Sequence, residues 1–184
     1  MTLDVVGGQL MGASGVLADG SLYDVQFLDG ACIDLHSGCD AVSDFTFQTE
    51  ASAILASQAL LDQVFLNGPL GQFDSDPLLT NGCDSAVGCW AYTPYAAVSD
   101  FSPFSSLWDV RISAAQNMDD LGSFNVDSST PCVLNCQFYN GTNTSLSAGG
   151  YWAVWTPVPE PSTALLLALG LTGLAAQGRL RSRS

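Results

Sequence analysis

GYWAVWT at residues 150–156 runs into PVPEP at 157–161, then ALLLALGLTGLAA at 164–176, and the chain closes with RLRSRS at 179–184. In the first piece Tyr151, Ala153 and Trp155 alternate with Trp152, Val154 and Thr156. That period of two puts successive side chains on opposite faces of a β-strand. Pro159 and Pro161 then push Val158 and Glu160 toward extended or polyproline II backbone. The result reads as a stiff, solvated stub. The apolar piece carries no charge and one polar residue, Thr172. Taken from Ser162 to Gly178 it makes roughly 26 Å of helix, just short of a ~30 Å hydrocarbon core. It is apolar on all faces, whereas a docked surface helix shows one stripe. Pro161 suits a first helical turn, and arginines at the far end can snorkel to headgroups. The expectation is a separate C-terminal transmembrane helix over 162–178. Residues 179–184 follow as a basic cytoplasmic tail, with Arg179, Arg181 and Arg183 as the stop-transfer cluster.

Working back from there, the body reads as β-rich with one main helix. Residues 21–28, SLYDVQFL, place Tyr23, Val25 and Phe27 on one face and Leu22, Asp24, Gln26 and Leu28 on the other. LMGASGVL precedes it across Ala18-Asp19-Gly20, a hairpin-type turn. Residues 50–66, EASAILASQALLDQVFL, have no Gly or Pro, and Thr49 is a candidate N-cap. Ala53, Ala56, Leu60 and Val64, with Ile54, Leu61 and Phe65, form a broad apolar face. Asn67-Gly68-Pro69 is the expected stop. Further strand candidates are 89–93, 107–113 and 150–156. The fold class is therefore α+β, an antiparallel sheet or sandwich carrying one helix at about 50–66. Residues 1–156 form one acidic domain, and 157–161 are the linker.

The charge is unevenly spread. The 184 residues hold 18 acidic and four basic side chains, no Lys, and a net charge of -14. All but Glu160 of the acids lie before residue 158, together with Arg111 alone of the four arginines. Such a body has no basic surface for phosphate, which excludes sequence-independent nucleic-acid binding. Hydrophobic residues make up 47%, enough to exclude wholesale disorder.

Six cysteines fall in close pairs: Cys32 and Cys39, Cys83 and Cys89, Cys132 and Cys136. In an exported domain an even count favours disulfides. Proximity favours the three local pairs among the 15 connectivities that six cysteines allow. Each short loop contributes on the order of 2–3 kcal/mol in the chain-entropy account. No spacing is Cys-x-x-Cys and the one histidine is His36, so no zinc site is expected.

Catalytic constellations are sparse. With one His and no Lys, triad and lysine-dependent schemes have few members. His36 reads as an exposed or hydrogen-bonded loop residue. There is no G-x-S-x-G, no phosphate-cradling glycine loop and no H-E-x-x-H. The chain reads as a non-enzyme with no catalytic residue; a two-carboxylate hydrolase is the catalytic alternative. No metal ligand or cofactor is assigned. Calcium is the cation the composition allows, with Asp74 and Asp76, Asp119 and Asp120, and Asp40 and Asp44 as oxygen donors. Turn-forming Asp is the ordinary reading of all six. Aromatics in 90–95 and 151–155 are candidates for stacking on sugar rings, with core packing the commoner use. Asn140-Gly-Thr142 and Asn143-Thr-Ser145 fit the glycosylation pattern but read as a polar loop.

The order Val158-Pro159-Glu160-Pro161, short Leu/Ala/Gly helix, terminal arginines resembles the PEP-CTERM sorting signal of exported proteins of Gram-negative bacteria, many of them exopolysaccharide producers. That resemblance implies an exosortase partner, a membrane cysteine protease or transpeptidase acting near Pro159-Glu160-Pro161. It implies an inner-membrane intermediate with the acidic domain in the periplasm, and delivery to the envelope surface or outside. Its further implication is a non-enzymatic surface or exopolysaccharide-matrix protein; the alternative is a secreted carbohydrate- or calcium-binding module. Such proteins begin with a secretory signal peptide, whereas MTLDVVGGQLMGASG has no basic n-region and no long apolar stretch. The expectation is a start assigned downstream of the true one, or an export segment absent from this sequence.

Overall fold

The structure, a computed structural model, describes residues 1–99, 108–119, 127–131, 138–146 and 149–159. The strands are β1 (Thr2–Val6), β2 (Gln9–Ala18), β3 (Ser21–Leu28), β4 (Asn67–Gly68), β5 (Gly71–Gln72), β6 (Gly88–Ser99), β7 (Trp108–Met118), β8 (Ser128–Pro131), β9 (Phe138–Tyr139) and β10 (Gly150–Pro157). Helix α1 is one turn, Cys32–Leu35, and α2 spans Glu50–Gln63. Eight strands form one sheet in the order β1-β2-β3-β10-β6-β7-β8, with β9 also on β7; β4 and β5 pair separately. The β-rich expectation with one main helix holds. The purely antiparallel expectation does not, because β10 runs parallel to β6. Nor is there a two-sheet sandwich among the described residues. The sheet curls instead, so that α2 touches β2 near one end and β6, β7 and β8 toward the other.

Period-two patterning explains why β10 lies in the middle. Tyr151, Ala153 and Trp155 join the helix-side core with Val25, Phe27, Ala53, Ala56, Leu60, Val64 and Phe65. Trp152 points the other way, into a second cluster with Cys32, Cys39, Phe45, Val110 and Ile112. A strand apolar on both faces is stable only where both faces are covered. Its indoles are also satisfied: Trp152 Nε1 donates to Gly30 O (3.1 Å) and Trp155 Nε1 to Thr93 Oγ1 (3.1 Å).

Helix α2 begins as expected, with Thr49 Oγ1 accepting the Ser52 N–H at 3.2 Å. It ends three residues before the expected residue 66. Phe65 turns inward, fully buried and stacked on Phe27 at 5.4 Å, and its N–H reaches back to Leu60 O. Gln63 meanwhile bonds the Leu17 backbone twice, accepting its N–H (3.1 Å) and donating to its C=O (2.8 Å). Tertiary burial therefore stops the helix before Asn67-Gly68-Pro69, and that sequence makes the β4–β5 hairpin instead.

Candidate functional site

The segment that leaves the domain is the end of β10. It pairs antiparallel with β3 from Trp152 opposite Leu28 to Pro157 opposite Tyr23. The ladder continues one residue further, where the Val158 N–H donates to Leu22 O at 2.9 Å. In an antiparallel pair, bonded and non-bonded positions alternate. Residues 152, 154, 156 and 158 therefore direct their backbone groups to β3, and Pro157 directs its own away. The missing N–H of Pro157 thus costs this ladder nothing. Pro157, the first residue of the expected linker, is the last residue of a central strand.

On its other edge β10 pairs with β6 only from Gly150 to Trp152. β6 then bulges between Pro94 and Ala96, where proline offers no donor. Beyond that point Thr46 Oγ1 donates to Trp155 O at 2.6 Å. Tyr23 packs against Phe47 (4.9 Å between ring centroids) and Trp155 (6.1 Å), anchoring β3 where Pro157 passes. Thr156, Pro157 and Pro159 are exposed and Val158 is half-buried. Glu160 and Pro161, the expected transmembrane helix at 162–178, and Arg179, Arg181 and Arg183 lie outside the described residues. Among the described residues no helix is long and apolar enough to cross a membrane.

Two disulfides are formed, Cys32–Cys39 and Cys83–Cys89, as proximity suggested. Cys132 and Cys136 lie outside the described residues. His36, expected as an exposed or hydrogen-bonded loop residue, is half-buried instead. Its ring packs edge-on against Phe45 (5.6 Å) and Trp152 (6.1 Å), and its buried Nε2 has no hydrogen-bond partner. Burial pulls its pKa down to about 4, against a smaller upward pull from the Asp44 carboxylate. An imidazole held neutral among aromatic rings is a packing residue.

Among the calcium candidates, the Asp44 carboxylate serves a backbone turn. Asp44 Oδ2 accepts the N–H groups of Asp40 (3.1 Å) and Ala41 (3.0 Å). Asp74 bonds Asn67, whose Oδ1 also accepts from Ser75. Asp76 precedes a single 3-10 turn, and Asp119 donates its N–H to Val87 O. Asp120 lies outside the described residues. Among the described residues no three His, Cys, Asp or Glu side chains gather to hold a metal. Most sugar-stacking candidates are core. Tyr151, Trp152 and Trp155 are buried, and Tyr92 packs on Phe138 at 4.6 Å with its phenol pushed up to about 12 by burial. Trp90 stays 38% exposed. Asn143 Oδ1 accepts from Ser145 N–H and hydroxyl, a local turn.

An exposed extended segment at the end of a packed, disulfide-closed domain, followed by prolines and an apolar run, has the form of a C-terminal sorting signal. Residues 157–182 match the family model of the PEP-CTERM protein-sorting motif. The chain therefore carries a PEP-CTERM motif, which supports an exported protein sorted through an exosortase. No curated protein and no solved structure matches the chain.

Proposed function

We propose that residues 1–156 are a non-enzymatic cargo domain for the cell surface or the exopolysaccharide matrix. The observation that carries this reading is the sorting motif at 157–182. In it, the apolar segment at 162–178 parks in the inner membrane with Arg179, Arg181 and Arg183 on the cytoplasmic side. The acidic domain then stands in the periplasm until the exosortase acts near Pro159-Glu160-Pro161. Two further features support the reading. His36 is packed against Phe45 and Trp152, and the Asp44 carboxylate is taken up by the Asp40 and Ala41 amides. The oxidised cysteine pairs suit a compartment outside the cytoplasm.

The test is deletion of residues 158–184, with the domain located by immunogold labelling and by fractionation of the medium. Loss of surface delivery with the domain still folded is the expected result. Unchanged delivery overturns the reading. A screen for heat of binding against calcium and against host exopolysaccharide separates the matrix component from an inert passenger.

A further inference from the structure

The first residues of the sorting motif are held by the domain they are meant to leave. Pro157 stands opposite Tyr23, and the Val158 N–H is bonded to Leu22 O at 2.9 Å. Pro157 and Pro159, on either side, have no N–H at all. From Pro157 to Pro159, Val158 supplies the one backbone donor, and β3 has it. The opposite edge of the segment presents the Pro157 carbonyl and no donor. Prolines along an outer edge are a common way for a strand to resist taking on another strand. An enzyme that reads an extended peptide relies on its main-chain hydrogen bonds, as in strand addition.

We infer that β3 competes with the processing enzyme for the Val158 backbone, so that the end of β10 must unzip from Leu22 before the motif can be bound. This rests on the sorting reading above. The opening is local. β6 has already left β10 after Trp152, and Thr156, Pro157 and Pro159 are exposed, so β3 is the one strand to be peeled away. Tyr151, Trp152, Ala153 and Trp155 stay buried throughout. The folded domain thus slows its own processing by the strength of one hydrogen bond, about two- to tenfold in rate.

The experiment uses the full chain in membrane vesicles containing the exosortase, with cleavage followed by intact mass. Inserting Gly-Ser-Gly-Ser between Thr156 and Pro157 keeps Pro157–Pro161 intact but frees it from β3; cleavage about two- to tenfold faster is expected. An equal or slower rate overturns the competition. The opposite variant, Leu22→Cys with Val158→Cys, ties the two strands; cleavage of the oxidised chain at least about tenfold slower than cleavage of the same variant under mild reductant is expected. Unchanged cleavage of the tied chain overturns the inference. Amide exchange supplies a readout independent of the enzyme: Val158 is expected to be protected in the unmodified chain, and an unprotected amide overturns the inference. Pro159→Ala/Glu160→Ala/Pro161→Ala separates the two levels. Its continued cleavage overturns the sorting reading and this inference with it. Blocked cleavage, with no effect of the spacer, overturns the competition alone.

Discussion

From Gly150 to Trp155, β10 runs through the core, paired with β6 as far as Trp152 and with β3 from Trp152 onward, and Tyr151, Trp152 and Ala153 are completely buried; from Thr156 to Val158 the same chain is still held by β3 but is largely exposed. The contrast shows how a scaffold strand becomes a presented signal within about four residues. Nothing in the backbone geometry changes at that point, since the β3 register runs through it without a break. What changes is burial. Each aromatic in the first half contributes kilocalories through apolar area removed from water. Each residue in the second half contributes at most one exposed hydrogen bond.

The largest break in this comparison is expected from Trp152→Ala. It leaves a cavity in the second core cluster and takes one donor from the Gly30 carbonyl, which keeps the Thr144 N–H, so unfolding in urea should lose about 3–5 kcal/mol. A loss under about 1 kcal/mol would mean that the first half is not the anchor described. Acid should act on the same cluster through His36. Its folded pKa of about 4 lies below the ordinary 6.5, so folding disfavours the protonated form. The stability it confers is complete above pH 6.5, falls as pH drops toward 4, and is fully lost below that. The loss is on the order of 3 kcal/mol. It should appear as a urea midpoint that declines across this window and flattens in His36→Phe. Removing the bridge that ties Cys83 to Cys89 at the start of β6, by Cys83→Ser with Cys89→Ser, should cost about 2 kcal/mol in thermal or urea unfolding. The smallest effect sharpens the comparison. A chain ending at Pro157 loses the Val158–Leu22 bond and should lose under about 1 kcal/mol, while sorting fails altogether.

Several elements were legible residue by residue. Alternation across SLYDVQFL marked β3 with its buried face of Val25 and Phe27, and Thr49 marked the start of α2. β1 was not legible, because Thr2–Val6 is an edge strand whose Leu3 and Val5 are only half-buried. The end of α2 was misread for a different reason. Asn67-Gly68-Pro69 is a sound stop signal, but burial of Phe65 and the Gln63–Leu17 bonds act first. His36 misled because a polar loop composition around it says nothing of Phe45 and Trp152, which arrive from distant segments.

By itself the sequence determined the sorting motif and the acidic body, and it favoured the two local disulfides seen here without choosing among the connectivities. Those features depend on residues near one another along the chain, and a motif read in extended form needs no fold to be recognised. The tertiary structure alone decided that β10 runs parallel to β6, that its prolines fall on the edge away from β3, and that Leu22 holds the Val158 amide. Period-two patterning fixes which face a side chain takes, but pairing between segments more than 100 residues apart is chosen by the packing of the whole core.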